Sequence, residues 1–252
     1  MTTVRAIVSL LEQIAPIDLA EEWDNVGLLA GHPDSAVQRV LCALELNEGV
    51  INEAIAKDAQ MIVTHHPIMF RGRKNLNETD GEGRLLCDLI RNELALYAMH
   101  TNFDNVHPGV NDALANALNL FNQKSLEHGM ILGEISPVRL DHFTKRVEER
   151  LGGVVRVYGS PDRLVHTVAV LGGAGEDYAA QALQHEADVF ITGEMGYHKA
   201  IDALAGGLCI LEAGHAATEK PSISYLTGAL QRSAKGVQSD IDVICSTSML
   251  FL

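Results

Sequence analysis

The chain lays out one run of elements twice. The segment "AIAKDAQMIVTHH" (54–66) aligns with "ALQHEADVFITGE" (182–194), and "LALYAMHTNFD" (94–104) aligns with "LCILEAGHAATE" (208–219). In the first half, apolar strand-like runs at 39–46, 60–66 and 94–100 alternate with helically spaced runs at 48–59 and 84–93. In the second half, strands are expected at 166–175, 188–194 and 208–215, with helices at 176–187 and 197–207. Strands alternating with helices predict parallel strands with helices packed on them, and an internal repeat of this order predicts two equivalent lobes. The expected fold class is therefore α/β, with two pseudo-repeated lobes (1–125 and 126–252), mostly parallel sheets, and a metal site between the lobes at the strand C-termini. The connection at 121–165 carries one helix of alternating charge, ended by Gly152 and Gly153.

The strand ends carry the chemistry, because ligands of such folds gather beyond the carboxyl ends of the strands. Here those ends are His65 with His66, His100 with Asp104, Gly193 with Glu194, and His215 with Glu219. Consecutive strand residues point to opposite faces, so His65 and His66 converge only where the strand breaks, and Pro67 supplies a break. His215 and Glu219 share a face if "HAATE" opens a helix. Imidazoles with carboxylates and no thiolate suit a pair of borderline divalent ions. With one carboxylate bridging, positions stay open for water, whose pKa such ions lower to roughly 7. Against this stands the plainer reading of each histidine as a core or turn residue.

Other features have competing readings. Arg71, Arg73 and Lys74 form either a solvated basic loop or a grip for an anionic group. Asn25 in "WDNVGLLAG" belongs to a structural turn or to a wall of the site. His198 and Asp202 are four residues apart on an expected helix interior and read as decoys. His128, His142, His166 and His185 lack a sequence partner. "GGAG" is too short for a dinucleotide fingerprint, so NAD is rejected.

Composition narrows the classes. Hydrophobic residues make up 47% and charged residues 21% of 252 residues, the balance of a globular protein. No apolar run approaches the roughly 20 residues needed to span a bilayer, and the N-terminal stretch lacks a cleavage-site pattern, so a cytoplasmic location is expected. A net charge of −14 argues against nucleic-acid binding, which needs a basic face. Cys42, Cys87, Cys209 and Cys245 have no C-x-x-C spacing and read as core thiols.

With these residues assembled, the sequence resembles the NGG-interacting-factor-like family, also labelled GTP cyclohydrolase type 2 homologues. "EEWDNVGLLAG", "IVTHHPIMF", "MHTNFDN", "ADVFITGE" and "EAGHAATE" are its landmarks, in its order. The short connection at 121–165 matches the compact form without an inserted domain. The resemblance implies metal ligation by His65, His66, Asp104, His215 and Glu219, with Glu219 bridging two ions, and a ring-shaped homohexamer. His100 is placed beside the metals, as a proton-transfer or supporting residue. Glu45 departs from the aspartate that relatives carry.

The expected function is a dinuclear divalent-metal protein, with Fe, Mn, Zn, Co or Ni as candidate ions, acting as a hydrolase of a small molecule. GTP is one candidate substrate, by resemblance alone. The alternative is a non-catalytic metal-binding scaffold, metal chaperone or regulatory protein.

Overall fold

The computed structural model describes residues 1–248. It contains eleven strands and nine α-helices among the described residues, arranged in two sheets. The described residues form two compact units, one of residues 1–106 with 223–248 and one of residues 107–222, where continuous lobes at 1–125 and 126–252 were expected.

The first unit contains α1 (Val4–Ile14), β1 (Gly27–Ala30), β2 (Arg39–Ala43), α2 (Glu48–Ala56), β3 (Met61–Thr64), α3 (Gly81–Arg91), β4 (Ala95–Ala98) and α4 (Thr101–Asn105). Its sheet has the order β1-β4-β3-β2 and is completed by a last strand from the C-terminal segment, Asp242–Cys245, beside β2. The parallel register pairs Thr64 with both Ala43 and Ala98, so the carboxyl ends of three strands lie level. β3 and β4 are buried along their whole length, which explains their unbroken apolar runs. Leu41, Ile62 and Leu96 pack with Val50, Ile51 and Leu89 of the two crossover helices, and each such side chain contributes roughly 1.5–3 kcal/mol on burial. Side chains fix where these helices begin: Asn47 Oδ1 accepts from Val50 N at 3.0 Å, and Asp80 Oδ1 accepts from Gly83 N at 2.7 Å.

The second unit contains α5 (Val110–Ala117), β5 (Phe121–Ser125), β6 (Ile131–Arg139), α6 (Leu140–Leu151), β7 (Arg156–Tyr158), β8 (Leu164–Leu171), α7 (Ala179–Gln184), β9 (Val189–Thr192), α8 (Tyr197–Ala205) and β10 (Cys209–Glu212). It also holds the start of α9 (His215–Gly236), whose later turns belong to the first unit before β11 (Asp242–Cys245). The sheet order is β5-β6-β8-β9-β10-β7. One face, including Val168, Val189 and Leu211, packs on α5 and α6 through Leu114, Phe143 and Val147. The other, including Ala169, Phe190 and Ile210, packs on α7 and α8 through Ala182, Ala200 and Ala203.

Mostly parallel sheets were expected in both lobes, and the second corrects this. Only β8–β9 and β9–β10 pair in parallel, while β5–β6, β6–β8 and β7–β10 are antiparallel. The added strands come from the stretch read as a connection. β5 is exposed along its whole length, so it carries no apolar alternation. β6 contains Pro137, which lacks an N–H, and its ladder to β8 shifts between Glu134 and Val138. The helix expected there is α6, ended by Gly152 at φ 74°.

The carboxylate of Glu53 on α2 ties down the C-terminal segment. It accepts from Ser246 Oγ at 2.5 Å, Thr247 N at 3.1 Å and Ser248 N at 3.1 Å, and pairs with Lys57 at 2.6 Å. Burial pushes its pKa up, but the bonds from Lys57, Ser246 and Thr247 outweigh burial and hold it well below the usual range. A depressed carboxylate stabilises the fold above its unfolded pKa of about 4.3, and that contribution is lost as pH falls towards the folded value. Thermal melts of wild type and Glu53→Gln between about pH 6 and pH 3 should therefore converge as pH falls. Glu53→Ala should cost roughly 1–3 kcal/mol near neutrality, measured by denaturant unfolding.

Candidate metal centre

In the first unit, β3 stops at Thr64 and the chain bends. His65 N and His66 N both donate to the Leu44 carbonyl, at 3.1 and 2.9 Å, and Thr64 Oγ1 donates to the His66 carbonyl at 2.8 Å. Two successive N–H groups converging on one acceptor break the strand alternation, so the two rings lie 4.9 Å apart, centroid to centroid. The break thus precedes Pro67 by two residues. His100 follows β4, with its ring 5.2 Å from that of His65 and 5.6 Å from that of His66. Donor atoms of His65, His66 and His100 all lie within 4.8 Å of one another.

Two of these imidazoles have fixed orientations. His65 is fully buried, and its Nδ1 donates to the Met99 carbonyl at 2.8 Å, which fixes the ring's orientation. Its Nε2 is 3.7 Å from Asp104 Oδ1, which the first turn of α4 presents. An imidazole nitrogen and a carboxylate oxygen are both donor types that divalent ions accept. His100 Nδ1 donates to Asp24 Oδ1 at 2.9 Å, while Asp24 Oδ2 accepts from Thr101 N at 3.0 Å and Thr101 Oγ1 at 2.5 Å. Burial raises the Asp24 pKa, but its bonds from His100 and Thr101 outweigh burial and hold it far below the usual range.

The second unit carries a His–carboxylate pair at the start of α9. His215 Nε2 lies 3.0 Å from Glu219 Oε1, one helical turn on, and His215 Nδ1 lies 2.8 Å from Glu194 Oε1. The bond to Glu219 is the main reason the His215 pKa rises to about 9, with Glu194 adding to it against the effect of burial. His215 and Glu219 are groups that could hold a divalent cation, which would compete with that proton. Two glycines make the room. A Cβ on Gly173 (φ 65°) would lie 2.5 Å from Glu219 Oε1, and one on Gly193 would lie 2.6 Å from the Gly173 carbonyl oxygen and from His215 Cα. The donors present, imidazole nitrogens and carboxylate oxygens, fit divalent transition ions.

The repeat holds in backbone detail. Gly193 N and Glu194 N both donate to the Gly173 carbonyl, at 2.9 and 3.0 Å, as His65 and His66 do to Leu44. The repeat reading paired His100 with His215, and the structure shifts this by one residue. Asp104 N donates to the His100 carbonyl and Thr218 N to that of Gly214, so His100 corresponds to Gly214.

Asp24 and the Glu194 contact were not visible in the sequence. Asp24 is 76 residues from His100, and no spacing connects them. Asn25 is a structural brace, its Nδ2 donating to the Met69 carbonyl at 2.5 Å. Arg73 is bound to Asp80 at 2.8 Å and Glu82 at 3.2 Å, which leaves Arg71 and Lys74 as the exposed cations of that loop. His198 and Asp202 are exposed on α8 and enter no metal-type cluster among the described residues. All four cysteines are free, and burial pushes the Cys42 thiol up to about 12, consistent with a core residue.

Comparison with known proteins places this architecture. The family model for Duf34/NIF3 (NGG1p interacting factor 3) matches residues 2–249. The chain belongs to that family. It is 35% identical to the "GTP cyclohydrolase 1 type 2 homolog" of Streptomyces coelicolor over 88% of this chain and 83% of that one. It is 32% identical to the Clostridium acetobutylicum protein of the same description, over 90% and 89% of the two chains. A Staphylococcus aureus crystal structure, described as a hypothetical protein, has a TM-score of 0.94 at 28% identity and covers 99% of both chains.

Two substitutions check this geometry. Asp24→Ala strips the acceptor from His100 and Thr101, and should cost about 2–4 kcal/mol in unfolding experiments. It should also lower metal affinity about 10- to 100-fold. Gly193→Ala should destabilise by about 1–3 kcal/mol, because its Cβ meets backbone that cannot rotate away.

Proposed function

We propose that the chain binds two divalent ions per molecule and acts as a metal-dependent hydrolase of a small molecule. The observation that carries this reading is the convergence of His65, His66 and His100, with donor atoms within 4.8 Å of one another. Two of these rings are already oriented by acceptors on Nδ1, as ligating or proton-moving imidazoles require.

In this reading His65, His66 and Asp104 of the first unit and His215 and Glu219 of the second would hold the two ions. Fe, Mn, Zn, Co and Ni all accept such a donor set. Bound divalent ions supply Lewis acidity and lower the pKa of the water they carry. Five ligands for two ions leave positions for substrate, unlike a closed structural site. His100, with Nδ1 anchored on Asp24, exchanges protons at Nε2.

The relatives' description as GTP cyclohydrolase 1 type 2 homologues makes a nucleotide the first substrate to try. A cytoplasmic homohexameric ring belongs to the same proposal. No helix among the described residues is long and apolar enough to cross a membrane.

Metal analysis of gently purified protein should find about two ions per chain, and almost none in a His65→Ala, Glu219→Ala double variant that still folds. Metal-loaded protein should then turn over one member of a panel of nucleotides, GTP included, and phosphoesters. Folded wild type without metal, unchanged by the substitutions, would sink the reading. Full metal loading with no open coordination position and no turnover would favour a scaffold or metal chaperone instead.

A further inference from the structure

The chain's single tryptophan, Trp23, is 60% exposed, and Phe70 is 50% exposed. They are also in contact, 6.5 Å apart between ring centroids and inclined by only 25°. Both reach the histidine cluster, with Trp23 6.0 Å and Phe70 5.5 Å from the His100 ring. Leaving two large aromatic faces in water forgoes hydrophobic stabilisation that the core takes elsewhere. Their exposure is not slackness, since the Asn25 amide bonded to the Met69 carbonyl ties the Trp23 loop to the residue before Phe70.

Phe70 also lines an open cavity of about 430 Å³ together with His66, Pro67, Leu46 and Glu45. That volume lies in the range of small-molecule sites, which combine apolar walls with a few converging polar groups. A subunit interface would instead place its charges at the rim. Glu45 and Glu82 on the cavity wall disfavour an anionic group there, since Glu82 already uses Arg73 as its counter-ion. What fits beside aromatic faces, carboxylates and imidazoles is a flat, uncharged ring.

We propose that Trp23 and Phe70 form a stacking platform for a planar nitrogen heterocycle whose attached groups reach the His65, His66 and His100 cluster. The inference rests on the metal-centre reading for the role of that cluster, and it names the substrate class as heteroaromatic. A nucleoside base meets the requirement, and a bare sugar or phosphate does not.

Trp23 reports on its own occupancy, because no other tryptophan contributes emission. Guanosine, titrated into metal-free and metal-loaded protein, should quench this emission saturably, while ribose and inorganic phosphate should not. Phe70→Ala and Phe70→Leu should each weaken guanosine binding by about tenfold, the loss expected for one stacked ring. Their melting temperatures should match wild type. The leucine variant keeps apolar bulk without a flat face, so its failure to bind separates stacking from packing. Metal loading without guanosine quenching overturns the platform and leaves the metal reading intact. Quenching in folded protein that takes up no metal when divalent ions are supplied sinks the metal reading and leaves the platform. If light scattering shows that Phe70→Ala breaks an assembly while guanosine binding is unchanged, the aromatic pair is a contact between copies and the proposal falls.

Discussion

The pairing of His65 with His66 in the first unit depends on one carbonyl. Leu44 accepts from His65 N and His66 N together, which turns the chain out of the β-ladder within a single residue. Had β3 continued, the two imidazoles would stand on opposite faces of the sheet, and no cluster could form from them. The second unit makes the same turn on the Gly173 carbonyl but fills it differently. Gly193 sits where a side chain would strike backbone, and Glu194 takes the place of His66. One turn thus displays two imidazoles, while its counterpart displays one carboxylate against His215.

Carboxylates do the orienting in both units. Asp24 holds His100 and Glu194 holds His215, each through Nδ1. An acidic chain of net charge −14 has carboxylates in surplus, and here their placement matters more than their number. Asp24 is closed off from solvent and accepts from four donors, so it acts as a fixed acceptor. Glu194 lies on the surface, and the proton on His215 depends chiefly on Glu219.

The element order was legible because each buried parallel strand is an apolar run and each crossover helix has its own spacing. The strand ends were legible as well, since histidines after "MIVT" and "YAM" have no packing purpose. Three things were not. The edge strands β5 and β7 were hidden by their exposure, which removes the apolar alternation that marks a strand, and β6 by Pro137, which reads as a break. The one-residue offset between the repeats was hidden because the second segment is longer by one residue before its histidine. The partnership of Asp24 with His100 was hidden because it is made in space, by two loops at the ends of β1 and β4 that meet only after the sheet forms.

The tripeptide Trp23-Asp24-Asn25 shows how these levels join. Each residue reaches a different part of the site: Trp23 the Phe70 ring, Asp24 the imidazole of His100 and the start of α4, and Asn25 the backbone beside Phe70. Their energies are unequal. A buried charged acceptor serving four donors is worth several times a stacked pair of exposed rings, so Asp24 holds the loop in place and Trp23 is carried with it. That ordering explains how the fold tolerates an exposed tryptophan. The anchor one residue on supplies the stability, and the ring stays exposed against Phe70.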